Sequence, residues 1–103
     1  MSGRRIVLTG AASGIGRAIF ELLDAKGDQI VALDIKPAAS TSQTFIECDL
    51  SDPGAIDAAV GRIDGNIDVL LNVAGAPGTL DPLRVMQVNI LGLRHLTERL
   101  LAR

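Results

Sequence analysis

Residues 6–16 read Ile-Val-Leu-Thr-Gly-Ala-Ala-Ser-Gly-Ile-Gly, an apolar run that breaks into Gly10, Gly14 and Gly16 just where an amphipathic stretch begins. Gly10 permits a tight turn, Gly14 lets backbone approach a ligand, and Gly16 lets a following helix pack closely on a sheet. Unpaired N–H groups at such a helix start favour an anion. The segment therefore commits the chain to a strand–turn–helix unit and points to a phosphate-bearing ligand. It is not a Walker-type loop, because no Gly-Lys-Ser/Thr follows and Arg17 stands where that chemistry has no use for it. The spacing also departs from the commoner G-x-G-x-x-G, and a ligand-free glycine turn is the alternative.

The rest of the chain alternates strand and helix patterns, which predicts an α/β fold with a parallel sheet and helices on both faces. Strands are expected over residues 5–9, 29–34, 44–48 and 67–73. The first helix is expected over 15–26, with Ile15, Ala18, Ile19, Leu22 and Leu23 inward and Gly27 as its stop. Asp52-Pro53 reads as an N-cap followed by a first-turn proline, with Ile56, Ala59, Val60 and Ile63 as the buried stripe. Asp64-Gly-Asn66 breaks that helix. A last helix is expected from Asp81 or Pro82 to the end, with Met86, Ile90, Leu93, Leu96 and Leu100 as its apolar face. Right-handed crossovers then give the strand order 3-2-1-4. Ligands in such sheets sit beyond the carboxyl ends of the strands, at the switch between strands one and four. Thr9-Gly10, Asp34, Asp49 and residues 72–75 all fall at such ends.

Each of these positions has a chemical reading and a plainer one. Asp34 lies about twenty residues beyond the glycine loop, where a carboxylate accepts from a ribose 2′-OH and repels a 2′-phosphate. That favours NAD over NADP. The adjoining Ile35 completes the candidate adenosine edge, and Lys36 is the nearest base. An exposed turn Asp is the alternative. Asp49-Leu50 could accept from the amine of a base, or Asp49 could cap the next helix. At Asn72, Ala74 and Gly75 small side chains allow backbone to approach a ligand, and Asn72 could tie neighbouring strands together; an ordinary strand exit is the alternative. Asn89 lies one helical turn from Met86 and Leu93, so it is expected to face the apolar side, where an unpaired amide costs about 1–3 kcal/mol. It is either a functional group or a satisfied core Asn. His95 reads as a solvated or partner-facing helix residue, since nothing aligns it with Ser13 and an Asp as a triad. Arg94 and Glu98 form an i,i+4 surface pair.

Composition removes other classes. The 103 residues are 48% hydrophobic, enough for one small domain. A net charge of −2 offers no basic face for nucleic acid or anionic lipid, and two Phe with no Tyr or Trp leave few platforms for stacking bases. Residues 1–5 run straight into the first strand, so no signal peptide is expected, and no apolar run is long enough to span a membrane. One cysteine, Cys48, excludes an intrachain disulfide and a cysteine metal cluster and reads as a small buried hydrophobe. No metal site is expected, and a cytoplasmic location follows.

Taken together, these residues resemble the short-chain dehydrogenase/reductase family over essentially the whole chain. Thr9-Gly-Ala-Ala-Ser-Gly-Ile-Gly16 is similar to its T-G-x-x-x-G-x-G motif. Asp34 matches the acid of NAD-preferring members, and Asp49 the acid that contacts adenine. Residues 72–75 resemble its N-N-A-G motif, with Val73 in place of the second Asn, and Asn89 matches the helix Asn of the catalytic tetrad. The stretch between Asp34 and Asp49 resembles that of bacterial hydroxysteroid and coniferyl-alcohol dehydrogenases.

The resemblance implies a Rossmann-type doubly wound sheet, seen here in part. It implies that Gly10, Ser13, Gly14, Ile15 and Gly16 hold the pyrophosphate of NAD. Asp34 and Ile35 would hold the adenosine ribose, Asp49 and Leu50 the adenine, and Asn72, Ala74 and Gly75 the nicotinamide side. Asn89 would act in a proton relay. It also implies a catalytic Ser and a Tyr-x-x-x-Lys pair beyond the Asn89 helix. This chain has no Tyr, and its only lysines are Lys26 and Lys36. The expectation is therefore the NAD-binding half, residues 1–103, of an alcohol dehydrogenase or ketone reductase with a small-molecule substrate. Alone it would be inactive, with strand four as an exposed edge that favours homo-oligomers. A stand-alone, non-catalytic dinucleotide-binding module and an assembly partner completed by another chain are the rivals.

Overall fold

The computed structural model describes residues 3–12, 14–36, 43–74 and 81–102. Four parallel strands form one sheet in the order β3-β2-β1-β4: β1 (Arg5–Thr9), β2 (Gln29–Asp34), β3 (Thr44–Glu47) and β4 (Val69–Asn72). This is the expected order, with β3 ending one residue early and β4 trimmed at both ends. The register pairs Val7 with Val31 and with Leu70, so the strand ends lie level.

Alternation along the strands splits the core in two. Ile6, Leu8, Ile30 and Ala32 point to one face, where Ile19, Phe20 and Leu23 of α1 (Gly14–Ala25) cover them. Phe20 packs on Phe45 with ring centroids 5.5 Å apart. Val7, Val31, Leu33 and Ile46 point to the other face, under Ile56, Ala59 and Val60 of α2 (Pro53–Gly61) and Leu96 of α4 (Leu93–Leu101). Helices on both faces explain why β2 is apolar at every interior position rather than alternating.

Local signals place the ends. The Asp52 carboxylate accepts from Gly54 N at 2.9 Å as the N-cap of α2, with Pro53 at the first helical position. Gly27, at φ +85°, ends α1. Asp28 is buried and takes Arg4 N at 3.2 Å and Arg4 Nη2 at 3.1 Å, which fixes the start of β1. Arg4 holds the Asp28 carboxyl below the ordinary carboxylate range.

Two helical faces differ from expectation. On α1, Ile15 and Leu22 are 75% and 63% exposed, and Ala18 is also exposed. The inward stripe is Gly16, Ile19, Phe20 and Leu23, because Gly16 must abut the Gly10 carbonyl and so sets the rotation of the whole helix. The last helix is not uniform. It begins as α3 (Pro82–Met86), passes through a π-helical segment (Gln87–Gly92) and continues as α4. The wider π turn shifts the apolar stripe, leaving Met86 and Ile90 at 49% and 59% exposure while Leu93, Leu96 and Leu100 stay inward. Asn89 lies in this segment and is exposed, not turned into the apolar face. No described helix is long and apolar enough to cross a membrane.

Candidate functional site

The carboxyl ends of β1, β2 and β4, with the turn after β3, form one continuous edge. At its centre Thr9 is fully buried in the last position of β1. Its hydroxyl oxygen accepts from Val73 N at 3.0 Å and Ala74 N at 3.1 Å, so it clamps the exit of β4 beside the exit of β1. The two exits then touch: a Cβ on Gly10 would sit 2.8 Å from both Cα and N of Ala74. Gly10 also has φ +75°, so glycine is required there on steric and conformational grounds. A Cβ on Gly16 would collide with the Gly10 carbonyl, which makes the start of α1 as close to the loop as backbone allows. Gly14 differs. At φ +59° it opens α1 with no described residue within 4 Å of where a Cβ would sit, so among the described residues nothing covers the helix start.

Asp34, at the end of β2, reaches into this loop. Its Oδ2 accepts from Ala12 N at 3.0 Å and its Oδ1 from Lys36 N at 3.1 Å. The backbone of β2 also anchors the loop through Gly10 N to Leu33 O at 2.9 Å. Ile35 beside it is exposed. Beyond β3, Asp49 closes a turn by accepting from Ser51 N at 2.9 Å and Ser51 Oγ at 2.7 Å, while the capping of α2 falls to Asp52. The Leu50 side chain is buried in the core. Gly92 of the π segment lies against the Leu50 carbonyl, where any side chain would collide.

Of the candidate residues, Gly10, Gly14, Gly16, Asp34, Asp49 and Ala74 thus gather at one edge. Ser13 and Gly75 lie outside the described residues. Asn72 does not tie strand to strand through its side chain: Nδ2 donates to Thr97 Oγ1 at 3.2 Å, linking β4 to α4. His95 is not merely solvated; Nε2 lies 2.8 Å from Asp57 Oδ1, which Arg99 Nε also approaches at 3.0 Å, so these groups join α2 to α4. Arg94 and Glu98 form the expected surface pair at 2.8 Å. Cys48 is buried, and burial together with Asp49 and Asp52 pushes its thiol up to about 11, the behaviour of an inert core residue.

Sequence reasoning missed the Thr9 clamp and Gly92. A hydroxyl ending an apolar strand, and a glycine inside a helical apolar pattern, were the available signals.

The family model described as short chain dehydrogenase matches residues 4–103. The coniferyl-alcohol dehydrogenase of Pseudomonas sp. (strain HR199 / DSM 7063) is 41% identical over 103 residues, covering 100% of this chain and 40% of its own length. The ligand-free aldohexose dehydrogenase of Thermoplasma acidophilum superposes with a TM-score of 0.84 at 28% identity, over 98% of this chain and 44% of that one. A uronate dehydrogenase variant from Agrobacterium tumefaciens complexed with NAD gives 0.78 at 27% identity, over 99% and 38%. This chain spans about two fifths of the length of the curated relative. On its motifs, its sheet order and a match from end to end, the chain belongs to the short-chain dehydrogenase family.

Proposed function

We propose that this chain is the NAD(H)-binding portion of an oxidoreductase that moves hydride between an alcohol or ketone substrate and nicotinamide. The observation that carries the reading is the joint placement of an open, positive-φ glycine at the start of α1 and the Asp34 carboxylate at the end of β2. Gly14 leaves room for a pyrophosphate against the helix start, and Gly10, Ser13, Ile15 and Gly16 complete that loop. Each oxygen of Asp34 carries one backbone donor and keeps capacity for another, which suits a ribose diol. Asp34 with the uncharged Ile35 favours NAD over NADP, because a 2′-phosphate would meet a carboxylate. Asp49 and the Leu50 backbone would take the adenine, and Asn72, Ala74 and Gly75 the nicotinamide side. Asn89, at the surface of the π segment, would hold a proton relay.

The nicotinamide supplies the hydride chemistry, and the protein's part is to bind and orient it. The family's catalytic Ser and Tyr-x-x-x-Lys are not among these residues, so the 103-residue chain binds cofactor without turning it over. The exposed Leu83, Met86, Ile90 and Leu91 support self-association, and a single buried thiol suits the reducing cytoplasm. Titration with NADH, followed by fluorescence, should saturate, weaken on Asp34→Ala and be weaker with NADPH. A folded sample that shows no saturable binding removes the reading. Non-catalytic module and enzyme portion are separated by the intact mass of the natural protein: 10.8 kDa supports the module, a much larger mass the enzyme.

A further inference from the structure

We propose that Asp34 is also the positioning residue of the glycine loop, so that one carboxylate couples the ribose subsite to the pyrophosphate subsite. This rests on the reading of the loop as a dinucleotide site. The loop runs between two glycines at positive φ, Gly10 and Gly14, which carry no side chains to anchor the segment between them. Two successive residues of β2 pin it instead. Leu33 O takes Gly10 N, and Asp34 Oδ2 takes Ala12 N across 22 positions of sequence. The first bond joins backbone to backbone and does not depend on the side chain at position 34. The second exists only while position 34 offers an acceptor.

Asp34 Oδ1 takes Lys36 N, which turns the chain after β2 and fixes the carboxylate. A carboxylate has about four acceptor directions, and two are used, one on each oxygen. The unused pair suits vicinal hydroxyls, so ribose can bind while Ala12 stays held. Asp34→Ala then does two things. It removes the acceptor of the ribose and releases the Ala12 N–H, letting the loop that faces the pyrophosphate drift. Removing the acid to admit a 2′-phosphate therefore weakens the phosphate loop for either dinucleotide.

The test compares NADH with its analogue lacking both adenosine-ribose hydroxyls, on the wild-type chain, Asp34→Ala and Asp34→Asn. The analogue cannot use the carboxylate, so any effect on it passes through the loop. Asp34→Ala should weaken the analogue about threefold or more, and Asp34→Asn, which can turn its one oxygen to Ala12 N–H while giving up the bond from Lys36 N, should bind it measurably more tightly than Asp34→Ala. Equal affinity of the analogue for wild type and Asp34→Ala overturns the proposal. Amide exchange in the ligand-free chain decides independently. Ala12 N–H should be protected in wild type and Asp34→Asn and exchange about tenfold faster in Asp34→Ala; unchanged exchange overturns the proposal as well. Should the wild type bind neither dinucleotide, the NAD reading fails, while exchange at Ala12 still decides the loop role.

Discussion

Thr9 does more for this fold than its size suggests. Its one oxygen receives two backbone donors from beyond β4, and no water can replace it at full burial. Thr9→Val keeps the shape and strands both donors, and should cost about 1–3 kcal/mol in denaturant unfolding, whereas Thr9→Ser should cost less. Asp28 acts at the opposite end of β1. Its proton affinity is lower folded than unfolded because Arg4 stabilises the charged form, so the unfolded state binds the proton first as pH falls. The stability it contributes is present above its ordinary value of 3.8 and disappears as pH drops through the lower folded value. Asp28→Asn should therefore be less stable at pH 6 and show a shallower loss of stability between about pH 4 and pH 2 than wild type. At this scale spacing alone was enough to place residues: the three glycines in one turn and helix start, and Asp34 and Asp49 after successive strands. It was silent on bonds that join a side chain to distant backbone. Nothing local distinguishes Asp34 as a partner of Ala12, or Thr9 as a partner of Val73.

Strands and their order were legible because β-branched runs bounded by turns can be read directly, and parallel connections admit few topologies. Helix existence was legible for the same reason. Helix rotation was not. The apolar residues of α1 admit more than one stripe, and the contact of Gly16 with the Gly10 carbonyl selects among them. In the last helix a constant period of 3.6 fails across the segment that winds as π, so the inward positions before and after it belong to different registers. Two glycines make this testable. Gly92→Ala drives a methyl into the Leu50 carbonyl and should destabilise by about 1–3 kcal/mol or more. Gly61→Ala, at the end of α2 with no described residue within 4 Å of the new methyl, should stabilise by about 0.4–1 kcal/mol. Thermal unfolding of both variants compares the same substitution in two packing environments.

Across the whole molecule, a radius of gyration of 13.1 Å equals the roughly 13 Å of a compact chain this long. Both faces of the sheet carry helices, yet β4 pairs only with β1 among the described strands, and Leu83, Met86, Ile90 and Leu91 remain exposed along one helical stretch. Sedimentation should show concentration-dependent association, and Ile90→Glu combined with Leu91→Glu should shift it toward monomer while moving unfolding by no more than about 0.5 kcal/mol per site. The contact of Gly10 with Ala74 bears on the order of events in folding. The walls of the candidate site come from strands whose clamping bond closes 64 positions of chain, so the site is among the most non-local parts of the molecule. Loop closure of that length precedes any benefit from the bond. A peptide ending after β2 would carry every glycine of the motif and the acid, yet lack the wall they lean on. The candidate site is thus a late product of folding, assembled only when β1 and β4 have met.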